Sequence, residues 1–343
     1  MTALVGSSIV APLSIPSPPN EWVTYPIPVG NFTITIHAYA LIILVGIIAA
    51  MVLTSRRLTA RGAEPGIVID IALWAVPLGI IGARLYHVFT HVSDYFVGKD
   101  AWSTFIDVIS IQNGGNAIFG SLIGGAIGVA IGCRISGLRF WTFADALAPG
   151  LLIAQALGRL GNWFNVELFG IPTDLPWGLE VPSDNSAFPV GLAEGTLFHP
   201  TFLYELLWNL IGAGLLIFLG RRFALQWGRT LALYLIWYGV GRAAIESIRI
   251  DTSEVFFGIR TNVWAGFLSI LVGVIIFVVQ TRRHPGLEPS PYRPGRGWSG
   301  ASQPVGSSYT ASDFEDGGAD ADGQNAAVPV AATSGAASRT KVG

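Results

Sequence analysis

What this chain lacks narrows it first. Only 12% of its 343 residues are charged, whereas 51% are hydrophobic. A soluble domain carries roughly 25% charged residues, so the chain reads as a polytopic membrane protein. A single cysteine, Cys133, excludes an internal disulfide framework and a cysteine metal cluster. Cys133 stands beside Arg134 at the inner end of an apolar run, a membrane thickness from the polar residues considered below, and no catalytic role is expected of it. His87 and His91 are four apart, but neither an acid nor a third histidine is placed with them, so no metal site is expected. Residues 1–36 hold no Lys or Arg, and their apolar run is broken by Pro12, Pro16, Pro18 and Pro19, so no secretory leader is read there. No internal repeat is visible.

What is present is a series of long apolar runs. Seven are long enough to span roughly 30 Å of hydrocarbon: near 37–54, 67–90, 116–133, 142–165, 200–220, 230–247 and 262–280. Arginines collect after alternate runs, at Arg56, Arg57 and Arg61, at Arg134 and Arg139, at Arg221, Arg222 and Arg229, and at Arg282 and Arg283. The positive-inside rule then predicts an all-α bundle of seven transmembrane helices, its N-terminus outside and its C-terminus cytoplasmic. Residues 1–36 become an external segment and 37–283 the seven-helix transmembrane domain. Within that domain the acidic, proline-rich loop 167–199 is expected to form a small irregular outer cap. The Gly, Ser, Ala, Pro and Asp composition after 284 predicts a disordered cytoplasmic tail over 284–343.

Inside the spans, Gly120, Gly124, Gly128 and Gly132 recur every fourth residue and predict close helix packing. Pro77 and Pro149 interrupt the second and fourth spans. The polar residues are more telling. Arg84, Arg159 and Arg242 lie late in spans two, four and six, all of which run outward, so the helical rise sets them in the outer half of the bilayer. Tyr39 opens the first span at the same level. Gly158, Gly161, Asn162 and Asn165 share one ridge beside Arg159, and Tyr238, Arg242, Glu246 and Arg249 share another. Arg242 and Glu246 can neutralise each other. Arg84 and Arg159 have no acid one turn away, which leaves cationic groups at headgroup depth. Their forked donors match a phosphodiester, and the abundant anion at that depth is an anionic phospholipid.

These residues also carry a family resemblance. Gly158 to Gly170, Gly-Arg-Leu-Gly-Asn-Trp-Phe-Asn-Val-Glu-Leu-Phe-Gly, resembles the signature of the bacterial prolipoprotein diacylglyceryl transferases, Gly-Arg-x-Gly-Asn-Phe-x-Asn-x-Glu-x-x-Gly, with Trp163 at the aromatic position. The likeness extends along most of residues 30–280. His37-Ala38-Tyr39, Gly82-Ala83-Arg84, His199-Pro200-Thr201-Phe202-Leu203-Tyr204-Glu205 and Tyr238-Gly239-Val240-Gly241-Arg242 with Glu246 and Arg249 are similar to further family motifs.

The resemblance implies an enzyme that moves the diacylglyceryl group of phosphatidylglycerol onto the lipobox cysteine of a lipoprotein precursor, releasing glycerol 1-phosphate. It implies catalytic roles for Arg159, Arg242 and Tyr39, and substrate contacts for Asn162, Arg84, Glu246, Tyr238, Glu167, Asn165 and Gly170. No cofactor or metal is expected and no nucleic-acid partner; the expected setting is the bacterial inner membrane, as a multi-pass monomer with its site facing the outer leaflet. One departure stands out. Many members place a histidine in a His-Gly-Gly run at the start of the third helix, where this chain has Phe119-Gly120-Ser121. His87, His199 and Tyr39 remain as proton acceptors for the substrate thiol. Two other classes compete. A secondary transporter also buries Arg and Glu at one depth but calls for paired repeats and helices broken near the midplane. A lipid-binding membrane protein without catalysis leaves the outer acidic loop and the Asn pair without a role.

Overall fold

The computed structural model describes residues 14–30, 32–111 and 114–298. Its long helices are α2 (Ala38–Thr59), α3 (Ile67–Thr90), α6 (Ile118–Ser136), α7 (Phe140–Phe164), α8 (Thr201–Arg222), α9 (Arg229–Glu246) and α10 (Thr261–Arg283). Among the described residues, six of these are long and apolar enough to cross a membrane; α9 is outside that set. It has 18 residues and carries Arg229, Arg242 and Glu246. The protein is thus mostly helical with six candidate membrane-spanning helices. Large apolar side chains such as Leu73, Phe89 and Leu122 stay exposed on their outer faces, as lipid contact requires.

Each helix pair is set by a local device. Along α6, a Cβ on Gly120 or Gly124 would overlap backbone carbonyls of Gly82 and Leu78, and one on Gly132 would come 2.9 Å from the Ile71 Cα. The four-residue glycine repeat therefore lets α6 lie backbone to backbone on α3. Between α8 and α9, Trp208 and Trp237 stack at 4.2 Å, and each indole N–H donates to the other residue's carbonyl at 3.1 Å. At the start of α9, the buried carboxylate of Asp145 on α7 accepts from the N–H groups of Gly228 at 2.8 Å and Leu231 at 2.9 Å. That satisfies donors a helix start leaves open and places negative charge at its positive end.

Smaller elements cover one end. A short helix α1 (Asn20–Val23) leads into the hairpin β1 (Thr24–Val29) and β2 (Phe32–His37), which pair antiparallel with Thr24 opposite His37. Phe-Thr-Ile-Thr-Ile-His alternates with period two, a strand pattern that a purely helical expectation passes over. Between α3 and α6 lie α4 (Val92–Phe96) and α5 (Ala101–Ile109), the latter N-capped by Asp100. The loop after α7 forms a compact cap with the two-residue strands β3 (Leu179–Glu180) and β4 (Leu197–Phe198) over a core of Phe169, Leu179, Val181, Phe198 and Phe202. Ile15 pairs with Leu179 at its edge. Between α9 and α10 a tight hairpin, β5 (Val255–Phe256) and β6 (Ile259–Arg260), turns through Phe257 and Gly258.

The tail begins later than its composition suggests. Residues 285–298 fold back along the end of the bundle where α7 begins. Glu288 accepts from Thr142 Oγ1 at 2.6 Å and from the Trp227 N–H at 2.9 Å, and the Tyr292 hydroxyl accepts from the Glu64 N–H at 2.9 Å. Tyr292 joins the buried cluster of Leu58, Ile71, Cys133, Leu138 and Phe143. A buried acid and a buried tyrosine with several partners override the low-complexity signal on either side. The remaining tail, 299–343, lies outside the described residues.

Candidate active site

The site grows from the end of α7. The helix stops at Phe164, and Val166 and Leu168 take left-handed φ values of 48° and 61°. Backbone of that kind is costly for non-glycine residues and is held by its surroundings. Here the carboxylate of Glu167 turns back to accept from Asn162 Nδ2 at 2.8 Å and Asn165 Nδ2 at 3.2 Å. Asn162 Oδ1 in turn accepts from Arg159 Nη1 at 3.2 Å. The two amides that sequence offers as donors for an outside anion are thus engaged with Glu167, and they tie Arg159 to the turn.

Gly161 and Gly170 are small for steric reasons. A Cβ on Gly161 would come 2.6 Å from Tyr39 Cδ2, so the missing side chain seats the Tyr39 ring of α2 against the signature. A Cβ on Gly170 would meet His199 Cβ at 2.8 Å and the Ile248 carbonyl at 2.9 Å, where the cap backbone passes the chain beyond α9. Gly170 also donates its N–H to the His199 carbonyl at 2.9 Å. Trp163, the departure from the family pattern, donates its indole N–H to the Pro16 carbonyl at 3.1 Å, a bond that phenylalanine lacks.

Arg159 does have an acidic partner, supplied from another helix. Arg159 Nε lies 2.7 Å from Glu205 Oε2 on α8, and Glu205 Oε1 lies 3.8 Å from Arg249 Nη1. Arg249 Nε is 3.8 Å from Glu246 Oε2 and 2.7 Å from Asp251 Oδ1. The fully buried Glu246 meets Arg242 Nη2 at 3.1 Å and Arg260 Nε at 2.8 Å. One ion network therefore joins Arg159 to Arg242, with four arginines against three carboxylates. Glu167, reached through the amides, brings the charges level. No hydrogen bond among the described residues engages Arg159 Nη2 or Arg242 Nε and Nη1. These edges are where an anion can be received. Burial alone would raise the Asp251 carboxyl, but the hydrogen bond and charge of Arg249 and the charge of Arg260 hold it below its ordinary range. Burial would likewise lower Arg249, yet the bond and charge of Asp251, with Glu246 and Glu205, raise it.

Arg84 belongs to a separate cluster. Its guanidinium donates to the carbonyls of Val108 at 2.9 Å, Gly114 at 2.6 Å, Gly115 at 2.9 Å, Ser110 at 3.3 Å and Asp107. Its side chain clamps the loop before α6. His87 Nδ1 sits 3.1 Å from the Tyr95 hydroxyl in this cluster and its ring stacks on His91 at 4.2 Å. Phe119 lies 6.2 Å from Tyr86, ring to ring. His199 Nδ1 is 3.1 Å from the Tyr204 hydroxyl, which also accepts from Trp177 at 3.1 Å. Tyr238 stacks 6.0 Å from Tyr234 between α7, α8 and α9, beside the bond from Gln155 to the Tyr234 hydroxyl. Cys133 is fully buried in one cluster with Tyr292.

Sequence reasoning did not single out Arg260, Asp251 or Asn262 as members of the network, and it quoted Glu205 only within a motif. The signal for Glu205 was present: an acid five residues after Pro200, in a span with no other charge before Arg221.

Comparison with known proteins gives the same direction. The family model described as prolipoprotein diacylglyceryl transferase matches residues 27–279. A protein of Leifsonia xyli named phosphatidylglycerol–prolipoprotein diacylglyceryl transferase is 62% identical over 301 residues, covering 87% of this chain and 90% of its own. One of Streptomyces coelicolor with that name, numbered 2, is 46% identical over 255 residues, covering 74% and 79%. A third, of Bifidobacterium adolescentis, is 45% identical over 258 residues, covering 72% and 75%. By sequence match and by the residues that build its polar site, the chain belongs to the prolipoprotein diacylglyceryl transferase family.

Proposed function

We infer that this chain is a bacterial membrane transferase that moves the diacylglyceryl group of phosphatidylglycerol to the cysteine thiol of a prolipoprotein, the first step of lipoprotein maturation. The observation that carries the reading is the linkage of Arg159 and Arg242 in one network beside the signature turn. The substrate thiolate attacks the carbon of the diacylglycerol moiety that is esterified to phosphate. A carbon–sulfur bond forms, the carbon–oxygen bond breaks, and its electron pair leaves with the phosphate as glycerol 1-phosphate. Negative charge grows on that leaving group, and cations already in place lower the barrier.

Arg159 and Arg242 take this role through their unengaged edges. Glu205 and Glu246 hold each guanidinium from the other side, so little reorganisation is required when the phosphate arrives. Tyr39, seated against Gly161, orients the headgroup beside Arg159. Asn162 and Glu167 fix Arg159, while Asn165 and Gly170 shape the turn. Arg84 acts by forming the loop before α6, and Tyr238 by packing α9 against α7 and α8. The proton of the thiol passes to a weak base or water, helped by the neighbouring cations, which favour thiolate.

The setting proposed is the bacterial inner membrane, with α9 as a seventh span, the N-terminus outside and the site at the outer leaflet, acting as a monomer. Alternating arginine-rich loops support that orientation. Purified protein mixed with phosphatidylglycerol and a lipobox peptide tests the reaction by mass spectrometry. A diacylglyceryl adduct on the cysteine peptide, absent from its cysteine-to-alanine counterpart, is expected; no adduct overturns the reading.

A further inference from the structure

We propose that Arg260 and Asn262 are positioning residues for the transfer reaction: they occupy one oxygen of Glu246 and thereby keep Arg242 half-bound and available to the substrate phosphate. This inference rests on the transferase reading above.

Glu246 closes α9 and its side chain is fully buried, so all its partners are protein groups. Its two oxygens are treated differently. Oε1 accepts two aligned hydrogen bonds, from Arg260 Nε at 2.8 Å and Asn262 Nδ2 at 3.0 Å. Oε2 lies 3.1 Å from Arg242 Nη2 and 3.8 Å from Arg249 Nε, yet neither approach has hydrogen-bond geometry. The carboxylate is anchored on one side and only electrostatically paired on the other.

Each nitrogen of Arg260 is engaged within the protein. Its Nη1 donates to the Arg249 carbonyl at 2.8 Å and its Nη2 to the Asp251 carbonyl at 2.9 Å, while Nε holds Glu246. Three fixed directions from one planar group lock the chain after α9 to the base of the β5–β6 hairpin. A lysine, whose three N–H groups radiate from a single atom, does not match acceptors set around a planar fork. Asn262 stands in the first turn of α10, so both anchors enter from the same short stretch.

The consequence follows from the geometry of arginine–carboxylate pairs. A carboxylate with both oxygens free draws a guanidinium into a bidentate fork. With Oε1 occupied, Glu246 offers Arg242 a single oxygen, and Arg242 retains Nε and Nη1. Removing Arg260 or Asn262 takes one of the two hydrogen bonds from Oε1, lets the carboxylate turn towards Arg242, and draws into that pair the edge needed by the leaving phosphate. Arg242 would still be present and charged, but engaged.

The test uses the full chain in detergent with phosphatidylglycerol micelles and lipobox peptide. kcat, KM for the lipid and melting temperature are measured for the wild type, Arg260→Gln and Asn262→Ala, with rates normalised to monodisperse protein. The expected result is a kcat lowered about 10–100-fold, as for a catalytic group misplaced by about 1 Å, with KM within about 3-fold of wild type. Asn262→Ala, which removes one bond, should show the same split to a smaller degree and keeps the test readable if Arg260→Gln does not fold. Wild-type kcat in Asn262→Ala, or in a folded Arg260→Gln, overturns the inference, as does a rise in KM at unchanged kcat. If the wild type itself forms no adduct, the transferase reading fails instead.

Discussion

Arg159 on α7 and Glu205 on α8 are joined at 2.7 Å, so the arginine at the centre of the signature is oriented by a carboxylate 46 residues further along the chain. Glu205 is buried and also faces Arg249. Glu205→Gln leaves two arginines without that charge, and breaking a buried pair from one side costs about 3–5 kcal/mol. A lower melting temperature and at least a tenfold slower transfer are expected, measured by thermal unfolding and by initial rates on lipobox peptide. An unchanged rate would remove Glu205 from the account.

Gly161→Ala tests the seat of Tyr39. The added methyl would lie 2.6 Å from Tyr39 Cδ2 and force the ring away from α7. Overpacking of this kind costs about 1–3 kcal/mol. The variant should fold but transfer slowly, whereas Gly158→Ala, where a Cβ meets nothing within 4 Å, should behave far more like the wild type in both assays.

Asp251 gives a pH dependence with a definite sign. Its folded pKa is lowered from 3.8: burial opposes this, and the bond and charge of Arg249 with the charge of Arg260 outweigh it. The unfolded chain therefore binds this proton more readily. The stabilisation is complete above the unfolded pKa and is lost as pH falls through the folded one. Melting temperature in detergent should fall below about pH 4, and less steeply in Asp251→Asn. Equal slopes for the two proteins would contradict the ion network.

Glu288→Ala separates stability from chemistry. Its loss leaves Thr142 Oγ1 and the Trp227 N–H without their acceptor. An unmet buried polar group costs about 1–3 kcal/mol. The melting temperature should drop, while the specific activity of folded protein at low temperature stays near wild type. Loss of activity without loss of stability would give the 285–298 segment a role not argued for it.

Much of this was legible in the sequence, because helices in a membrane announce themselves by apolar length and their polar residues stand out against it. The glycine strip as a close-packing face followed from spacing alone, although not which helix lies on it, and the signature located the turn after α7. Partnership was not legible. Arg159 meets Glu205 from another helix, Glu246 meets Arg260 across a hairpin, and Arg84 meets carbonyls of a loop that no motif marks. Helical periodicity relates residues three and four apart, whereas these contacts depend on how distant elements pack. The later start of the tail was hidden for the same reason, since Glu288 and Tyr292 gain their partners only on folding.

The central claim is that Arg159 and Arg242 together receive the phosphate that leaves. Arg159→Gln and Arg242→Gln, compared with the wild type, should be assayed for diacylglyceryl peptide by mass spectrometry and for glycerol 1-phosphate in the same mixture. The account predicts equal amounts of both products from the wild type and a loss of about 100-fold or more in each variant. Transfer at the wild-type rate by either folded variant would contradict it.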